Sequence, residues 1–394
     1  MSRPTSRLLL LVLFAITILC GTACRSTAEA ASALTPSPAV APTDTPSPLP
    51  TATPTLIPTA TATCRPTGVP TDINPLTGLR VDNPAVLRRS PLLIKISNES
   101  PEVRPQSGLS FADHVWEYQM EGWAQTRYTA VFYSRSPERA GSVRSVRLID
   151  VEELLSMYDA LLVYSGASSG MWNIILNAPW LDRTFKEDEA HLYTVRDQNI
   201  PRPGTNYYHS LFALPDKVWE EAEERGVSQT PNLGHILFDE QPAPGGIPTT
   251  EAAIDYPGLG PKHTWRYDPA SGRWLSSTED QRMRLPDTPD LDFLTGEQLA
   301  FDNVIILYAE HYLADFIEDE PNQLLSIGII LTGEGDAVLL RDGLRYECRW
   351  QREQPSDLIR LIGPDGEEIP WKPGTTWFNV ASTNQYAPQV TFVP

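Results

Sequence analysis

Three patterns of hydrophobic and polar residues follow one another along the chain, and the first of them predicts a leader. Residues 8–19 are uncharged and mostly apolar, and they come after the positive charges of Arg3 and Arg7. This arrangement is typical of a signal peptide. The run has 12 residues, fewer than the roughly 20 that a membrane-spanning helix needs. We therefore expect residues 1–23 to direct export and to be cleaved off.

The residues before the first two cysteines indicate where cleavage falls. The small residues Thr22 and Ala23 precede Cys24, as at bacterial lipoprotein cleavage sites, whereas the bulky Leu19 precedes Cys20. Cys24 is therefore the predicted lipidated residue. A diacyl anchor attaches a protein stably to a membrane, because one acyl chain alone binds only marginally. An ordinary secreted protein cut near Ala23, or an uncleaved anchor, is the alternative.

The second pattern is a polar segment without apolar periodicity, and it predicts a spacer. Residues 25–70 contain ten prolines and eleven threonines. Thr-Pro and Ser-Pro steps favour extended polyproline conformations, which bury no core. At about 3.1 Å per residue, the segment would reach on the order of 140 Å. We expect residues 24–70 to be a lipidated, disordered stalk that carries the folded part away from the membrane.

The third pattern begins near residue 71, where alternating and helical periodicities predict a mixed α/β first domain over residues 71–240. The predicted strands are residues 92–97, 114–118, 127–133 and 160–164. The predicted helices are residues 148–158, 171–176 and 215–225. The first three strands follow one another without a helix between them, which differs from the repeated strand-helix-strand order of a doubly wound sheet.

A Pro- and Gly-rich linker, residues 241–248, precedes a region of strands and tight turns. Within it, Asp342-Gly343 separates two apolar runs, and this dipeptide is one of the strongest short hairpin signals. We therefore predict a smaller β-rich C-terminal domain over residues 250–394. The fold class of the whole chain is then α+β, with a layered sheet and helices in the first domain.

The charge and the cysteines narrow the classes of function. Removing residues 1–23, which carry two positive and no negative charges, changes the formal charge from −19 to −21. Such an acidic chain is not expected to bind nucleic acid or anionic lipid headgroups. Only Cys64 and Cys348 remain beyond the lipidated cysteine, too few for a metal cluster or a disulfide framework. A single bridge between them stays open, and two free thiols are preferred.

Several short motifs stand in a fixed order along the folded part. They are residues 74–78 (Asn-Pro-Leu-Thr-Gly), 104–109 (Arg-Pro-Gln-Ser-Gly-Leu), 112–113, 121–122, 126–127, 141–147 (Gly-Ser-Val-Arg-Ser-Val-Arg), 303–304 and 372–377 (Lys-Pro-Gly-Thr-Thr-Trp). As an ordered set, they resemble the YerB-like family of bacterial lipoproteins. The resemblance implies an α/β first domain, a smaller β-rich second domain and no established chemistry.

A group of charged residues in these motifs is the leading candidate for a ligand site. Its members are Arg104, Arg127, Arg144, Arg147, Glu117 and Glu121. Guanidinium groups bind carboxylate or phosphate with two parallel hydrogen bonds, and a helix beginning near Ser145 would add its dipole. We expect the arginines to bind an anion such as a wall-polymer phosphate or a peptide carboxylate. The alternative is that the arginines form ion pairs within the protein.

An enzyme is the competing hypothesis, because residues 166–170 (Gly-Ala-Ser-Ser-Gly) match the nucleophile elbow of hydrolases between a predicted strand and a predicted helix. Ser168 would be the nucleophile, and His209 or His235 the base. A plain turn is the alternative, because the elbow belongs to a doubly wound sheet. The six histidines are dispersed, and we expect neither metal nor cofactor.

Taken together, these features predict a membrane-anchored lipoprotein outside the cytoplasm, acting as a binding or scaffolding module at the cell envelope. Its expected partners are the membrane, through the lipid, and a cell-wall polymer or an envelope protein.

Replacing Cys24 by serine should release the protein from membranes, because serine cannot carry the thioether-linked lipid. Fractionation of cells that produce the Cys24→Ser variant should place the protein in the medium or the soluble fraction. Replacing Cys20 by serine is the matched control and should leave membrane attachment unchanged. Membrane retention of an exported Cys24→Ser variant would contradict the prediction.

Overall fold

A computed structural model describes residues 71–98, 101–188, 190–200 and 207–394. The predicted leader, the predicted lipidation site Cys24, the predicted stalk and Cys64 lie outside these residues.

Strands dominate the structure and helices are few, in agreement with the predicted α+β class. The helices are α1 (Leu155–Met157), α2 (Ser169–Leu176) and α3 (Pro215–Glu224), and a π-helical turn, Asp150–Leu154, leads directly into α1. The strands up to α3 are β1 (Leu92–Asn98), β2 (His114–Gln119), β3 (Thr126–Phe132), β4 (Ala140–Gly141), β5 (Leu161–Tyr164), β6 (Thr184–Lys186), β7 (Thr194–Arg196) and β8 (Leu211–Ala213).

Residues 225–394, all of which the structure describes, form strands and turns without a helix. The strands are β9 (Ile247–Pro248), β10 (Glu251–Asp255), β11 (Pro261–Asp268), β12 (Arg273–Asp280), β13 (Leu285–Pro289), β14 (Ala300–Phe301), β15 (Asn303–Asp319), β16 (Leu324–Ile330), β17 (Gly333–Arg341), β18 (Leu344–Arg352), β19 (Arg360–Ile362), β20 (Thr376–Ser382) and β21 (Gln389–Val393). The Asp342-Gly343 turn joins β17 to β18 as the sequence predicts.

One large sheet contains strands from both predicted domains. Its order is β19-β18-β17-β15-β20-β2-β3-β1-β5-β6, with β16 added to β15 and β9 added to β18. Strand β20 lies between β15 and β2 and runs parallel to both. A late segment of the chain therefore completes a sheet that an early segment begins.

Two smaller sheets accompany the large one. The first has the order β13-β12-β11-β10-β21, with β14 added to β12, and the second has the order β4-β8-β7. All neighbouring strands in these two sheets are antiparallel, and the pair of β12 with β13 contains a bulge.

Both faces of the large sheet are covered, which explains why its central strands are buried along their whole length without alternation. On one face, the rings of Trp116 and Phe378 stack with their centroids 3.9 Å apart. On the other face, Ile94 and Val115 pack in a second core with Trp377. Every residue of β1, β2 and β3 is buried.

Two further findings concern membranes and thiols. Among the described residues, no helix is both long and apolar enough to span a bilayer.

Cys348 is a buried free thiol, and burial raises its pKa to about 12. A buried thiol with a raised pKa is a poor nucleophile.

Because β20 separates β15 from β2, residues 71–240 alone should not fold. The fragment lacks the partner of β2 and the aromatic side chains of β20 on both faces, so it should show no cooperative unfolding transition. Circular dichroism during heating compares the fragment with the full chain, for which we expect one cooperative transition. A native-like cooperative transition in the fragment would show that the first region folds independently.

Candidate functional site

The first motif, residues 74–78, folds into a tight turn held by Asn74. The side-chain Oδ1 of Asn74 accepts a hydrogen bond from the Leu76 amide (2.9 Å), and its main-chain oxygen accepts one from the Gly78 amide (2.8 Å). Gly78 has a φ of +68°, and a Cβ there would lie 2.6 Å from the Phe238 ring. The motif therefore requires glycine at this position.

The turn is fastened to Asp113, the aspartate of the third motif. The Asn74 Nδ2 donates to one carboxylate oxygen of Asp113 (2.8 Å). The Tyr133 amide (2.6 Å) and both the amide (3.1 Å) and hydroxyl (2.5 Å) of Ser134 also donate to this carboxylate. Burial raises the pKa of Asp113. Asp113 thus fixes the backbone that leads to Arg135, whose side chain is exposed.

The last motif, residues 372–377, meets the first one. The Gly374 amide donates to the main-chain oxygen of Thr77 (2.8 Å), and the Thr375 amide donates to Asp302 (2.8 Å). Gly374 has a φ of +148°, and a Cβ at this position would collide with the Asp302 carboxylate. Asn303 binds both polar main-chain atoms of Lys372 (2.8 and 2.9 Å).

Strand direction explains why these motifs meet. Asp113, Asp302 and Thr375 each stand immediately before a strand, respectively β2, β15 and β20. Residues His114, Thr376 and Asn303 at the starts of these parallel neighbours lie side by side. Parallel strands begin at the same edge of a sheet, so the residues that precede them converge there.

The convergent motifs line an open cleft of about 540 Å³, which we call the motif cleft. Its charged lining residues are Arg80, Arg135, Arg273, Asp82, Asp113 and Asp302. Its aliphatic wall is formed by Leu79, Val81 and Val86. The formal charges of the lining therefore balance, in a chain whose net charge is −19.

Internal pairing uses most of these charges. Arg80 pairs with Asp72, and the Arg273 Nε lies 3.6 Å from the Asp302 carboxylate. Within the described ranges, Arg135 and Asp82 form no ion pair. The guanidinium of Arg135 donates only to the main-chain oxygen of Ala112 (3.3 Å), so most of its donors face the cleft or solvent.

Three of the six predicted ligand-binding residues come together elsewhere, in what we call the arginine cluster. Arg147 donates to both carboxylate oxygens of Glu121 (2.8 and 2.5 Å) and lies 3.2 Å from Glu318. Arg127 (3.0 Å) and Arg147 (3.2 Å) donate to the same main-chain oxygen, that of Ser145. Burial alone would raise the pKa of Glu121, but Arg147 lowers it to about 2. The Arg147 guanidinium is thus already bound to carboxylates.

Arg104 and Glu117 lie outside this set of contacts. Arg104 donates to Asn98 (2.5 Å) and lies 3.2 Å from Asp290, on the opposite face of the large sheet. Arg144 is partly buried beside the arginine cluster, and its amide donates to the main-chain oxygen of Lys95 (3.0 Å). The structure does not bring the four predicted arginines to one concave surface.

Glu117 belongs to a closed ring of buried and partly buried side chains that joins the large sheet to the six-stranded sheet. In order, the ring contains Glu117, His263, Ser276, Asp290, Arg104, Asn98 and Thr126. Its hydrogen bonds are 2.5 to 2.9 Å long, and the Arg104–Asp290 contact is 3.2 Å. The sequence does not predict this ring, because its seven members lie in seven separate strands and loops.

Part of the ring has the distances of a Glu-His-Ser triad. Nδ1 of His263 lies 2.6 Å from Glu117, and Nε2 lies 2.8 Å from the Ser276 hydroxyl. That hydroxyl donates its hydrogen bond to Asp290 (2.7 Å), so its one hydrogen is directed away from Nε2. Glu117 and Ser276 have no exposed surface. The arrangement therefore connects the sheets and does not activate a nucleophile.

Ser168, the predicted nucleophile of the hydrolase hypothesis, is the N-cap of α2. Its hydroxyl accepts a hydrogen bond from the Met171 amide (3.2 Å) and donates to Glu318 (3.1 Å). In the part of the chain that the structure describes, no imidazole forms a hydrogen bond with this hydroxyl. His235 is exposed, and the His209 Nε2 lies 3.9 Å from Glu102. The hydrolase hypothesis has no support.

A second buried network, missed by sequence analysis, centres on Lys95 in β1. Its ammonium lies 3.2 Å from Asp150 and contacts the Tyr118 hydroxyl. The same carboxylate accepts hydrogen bonds from Tyr118 (2.7 Å), Thr129 (2.5 Å) and the Arg147 amide (2.7 Å). Burial lowers the pKa of Lys95 to about 7. The one signal in the sequence is a charged residue within the apolar run 92–97.

Among the described residues, no group of three His, Cys, Asp or Glu side chains is arranged to hold a metal ion.

Comparison with known families identifies the class of protein. The model described as "Protein of unknown function (DUF3048) N-terminal domain" matches residues 76–228, and the model of the DUF3048 C-terminal domain matches residues 252–378. The chain therefore belongs to the DUF3048 family, and its resemblance to the YerB-like lipoproteins is confirmed.

One relative of this chain is a named protein from Bacillus subtilis (strain 168). "Putative lipoprotein YerB" is 28% identical over 308 residues, which are 78% of this chain and 85% of that protein. The crystal structure of YerB protein from Bacillus subtilis is similar with a TM-score of 0.63 and 26% identity, over 81% of this chain and 99% of the other. Neither name states an activity.

The pKa of Lys95 predicts a dependence of stability on pH. Its folded-state pKa of about 7 lies below the ordinary value of 10.5, so between these values the unfolded state binds more protons at this lysine. The free energy of unfolding should therefore rise with pH from about 7 to about 10.5 because of this group. Lys95→Met should lack this rise in urea unfolding, and Lys217→Met, on the exposed surface of α3, should retain it. Parallel pH profiles of wild type and Lys95→Met would contradict the prediction.

Proposed function

We propose that this protein is a lipid-anchored binding module outside the cytoplasm and that the motif cleft is its ligand site. The N-terminal pattern that ends at Cys24 and the name of the Bacillus subtilis relative support the anchor. The expected partner is a cell-wall polymer or an envelope protein, reached by way of the stalk.

One observation carries the assignment of the ligand site. Three motifs that are far apart in the sequence, residues 74–78, 112–113 and 372–377, line the same cleft. Their polar groups hold one another, as in the bonds of Asn74 to Asp113 and of Gly374 to Thr77. The cleft is thereby fixed in shape before a ligand arrives, which lowers the entropic cost of binding.

The bound carboxylates favour binding over catalysis. Asp113 accepts four hydrogen bonds from the protein, and Asp302 accepts two from Thr375. Such carboxylates position backbone and are not free to exchange protons with a substrate. Arg135 instead presents a permanent cation at the cleft, and a guanidinium fork matches the geometry of a carboxylate or phosphate.

Soluble cell-wall fragments released by a muramidase should stabilise the full chain against heat, because a ligand that binds only the folded state raises the melting temperature. Arg135→Ala should abolish most of this shift. Arg349→Ala is the matched control, because Arg349 is an exposed arginine of β18 outside the motif cleft. It should retain the full shift.

An equal shift in Arg135→Ala and wild type would place binding outside the cleft and contradict the proposed site. Absence of any shift at millimolar fragment concentrations would contradict wall binding.

A further inference from the structure

We infer that the motif cleft is selective for a small aliphatic ligand that carries both a carboxylate and an ammonium. A short peptide has these two groups at its two ends. This inference rests on the proposed function of the cleft and names the class of its ligand. Three features of the lining support this inference. They are one cationic and one anionic side chain that form no ion pair among the described residues, and an aliphatic wall.

Arg135 is the partner for the carboxylate. It lies one residue beyond Ser134, and two hydrogen bonds from Ser134 and one from the Tyr133 amide fix that backbone on Asp113. The side chain is further oriented by its bond to the Ala112 oxygen (3.3 Å) and by the Phe111 ring, whose centroid is 6.0 Å from the guanidinium carbon. Its remaining N–H groups can donate in parallel to two carboxylate oxygens.

Asp82 is the partner for the ammonium. Its side chain is exposed at the cleft and, within the described ranges, accepts no hydrogen bond and forms no ion pair. The next residue, Asn83, accepts from the Ala85 amide (3.1 Å) and caps the 3-10 helix Pro84–Arg88. The backbone beside Asp82 is therefore fixed, while its carboxylate remains available.

The aliphatic wall and the balanced charges limit the rest of the ligand. Leu79 is 45% exposed and lies with Val81 and Val86 along the cleft, so a small apolar side chain gains contact there. A polyanion such as a phosphate polymer would meet Asp82 and Asp302 with like charge. A zwitterionic ligand avoids this repulsion, and a cleft of about 540 Å³ accommodates a dipeptide.

Isothermal titration calorimetry on the full chain with alanyl-alanine, in its L,L and D,D forms, tests this inference. Two blocked probes separate the charges: the N-acetyl dipeptide lacks the ammonium, and the dipeptide amide lacks the carboxylate. Loss of one charge-assisted interaction is expected to weaken binding about tenfold, so each blocked probe should bind about tenfold more weakly than its parent.

Substitutions assign each charge to its partner. Asp82→Asn should weaken the parent dipeptide about tenfold and leave the affinity of the N-acetyl probe unchanged, because that probe lacks the group that Asp82 binds. Arg135→Gln should weaken the parent dipeptide about tenfold and leave the affinity of the dipeptide amide unchanged, because the amide lacks the carboxylate that Arg135 binds. Asp336→Asn is the matched control, because Asp336 is an exposed aspartate of β17 outside the cleft, and it should change neither affinity.

The outcomes separate the inference from the proposed function. If the N-acetyl dipeptide binds as tightly as its parent, the ammonium is not recognised and the inference is overturned, although a carboxylate site at Arg135 stands. If neither dipeptide binds while wall fragments still shift the melting temperature in an Arg135-dependent manner, the ligand class is wrong and the site is right. If Arg135 is irrelevant to both measurements, both proposals fail.

Discussion

The carboxylate of Glu117 has no exposed surface, and the need to bind this buried charge constrains how the whole fold is assembled. A buried charge that loses its partner costs roughly 3–5 kcal/mol. The donors come from three other strands: Thr126 of β3, Asn379 of β20 and His263 of β11. The carboxylate is satisfied only when β20 has entered the large sheet and the six-stranded sheet has packed on its face. Local folding of the first half alone leaves the charge without two of these partners.

The opposite face of the large sheet has a comparable constraint. Lys95 and Asp150 are both fully buried. Asp150 also accepts a hydrogen bond from the main-chain amide of Arg147 (2.7 Å). Arg147 in turn binds Glu318 on β15, which belongs to the second half of the chain. Each face therefore has an ionic network that spans both family domains. Two of the arginines that suggest an anion site in the sequence, Arg104 and Arg147, belong to these networks and pair with carboxylates inside the protein.

The sequence predicts local structure well and long-range pairing poorly, for a physical reason. Strands such as β1 and β5 follow from apolar runs, the β17–β18 turn follows from Asp342-Gly343, and α3 follows from Pro215 at its first turn. In contrast, the place of β20 between β15 and β2 depends on contacts between segments far apart, which no local pattern encodes. The 17-residue strand β15 is apolar only in its first half, so its second half escapes a pattern of alternation. Arg135 and Asp82 carry no signal of their own, because nothing in the local sequence shows that these two residues line the same cleft.

The same reasoning explains why the motif cleft lies at the start of β2, β15 and β20. The middles of these strands pack in two cores and take part in two ionic networks. A substitution there is therefore expected to lower the stability of the fold. The strand starts are different, because Asp113, Asp302 and Thr375 there line the cleft and also take part in hydrogen bonds that fix the backbone around it. Hydrogen bonds of the neighbouring residues fix the backbone beside Arg135 and Asp82, and among the described residues neither side chain has an ion-pair partner. In the proposed binding function, such a fixed edge would lose little entropy when a ligand binds, and it would distinguish ligands by the positions of their charged groups rather than by net charge.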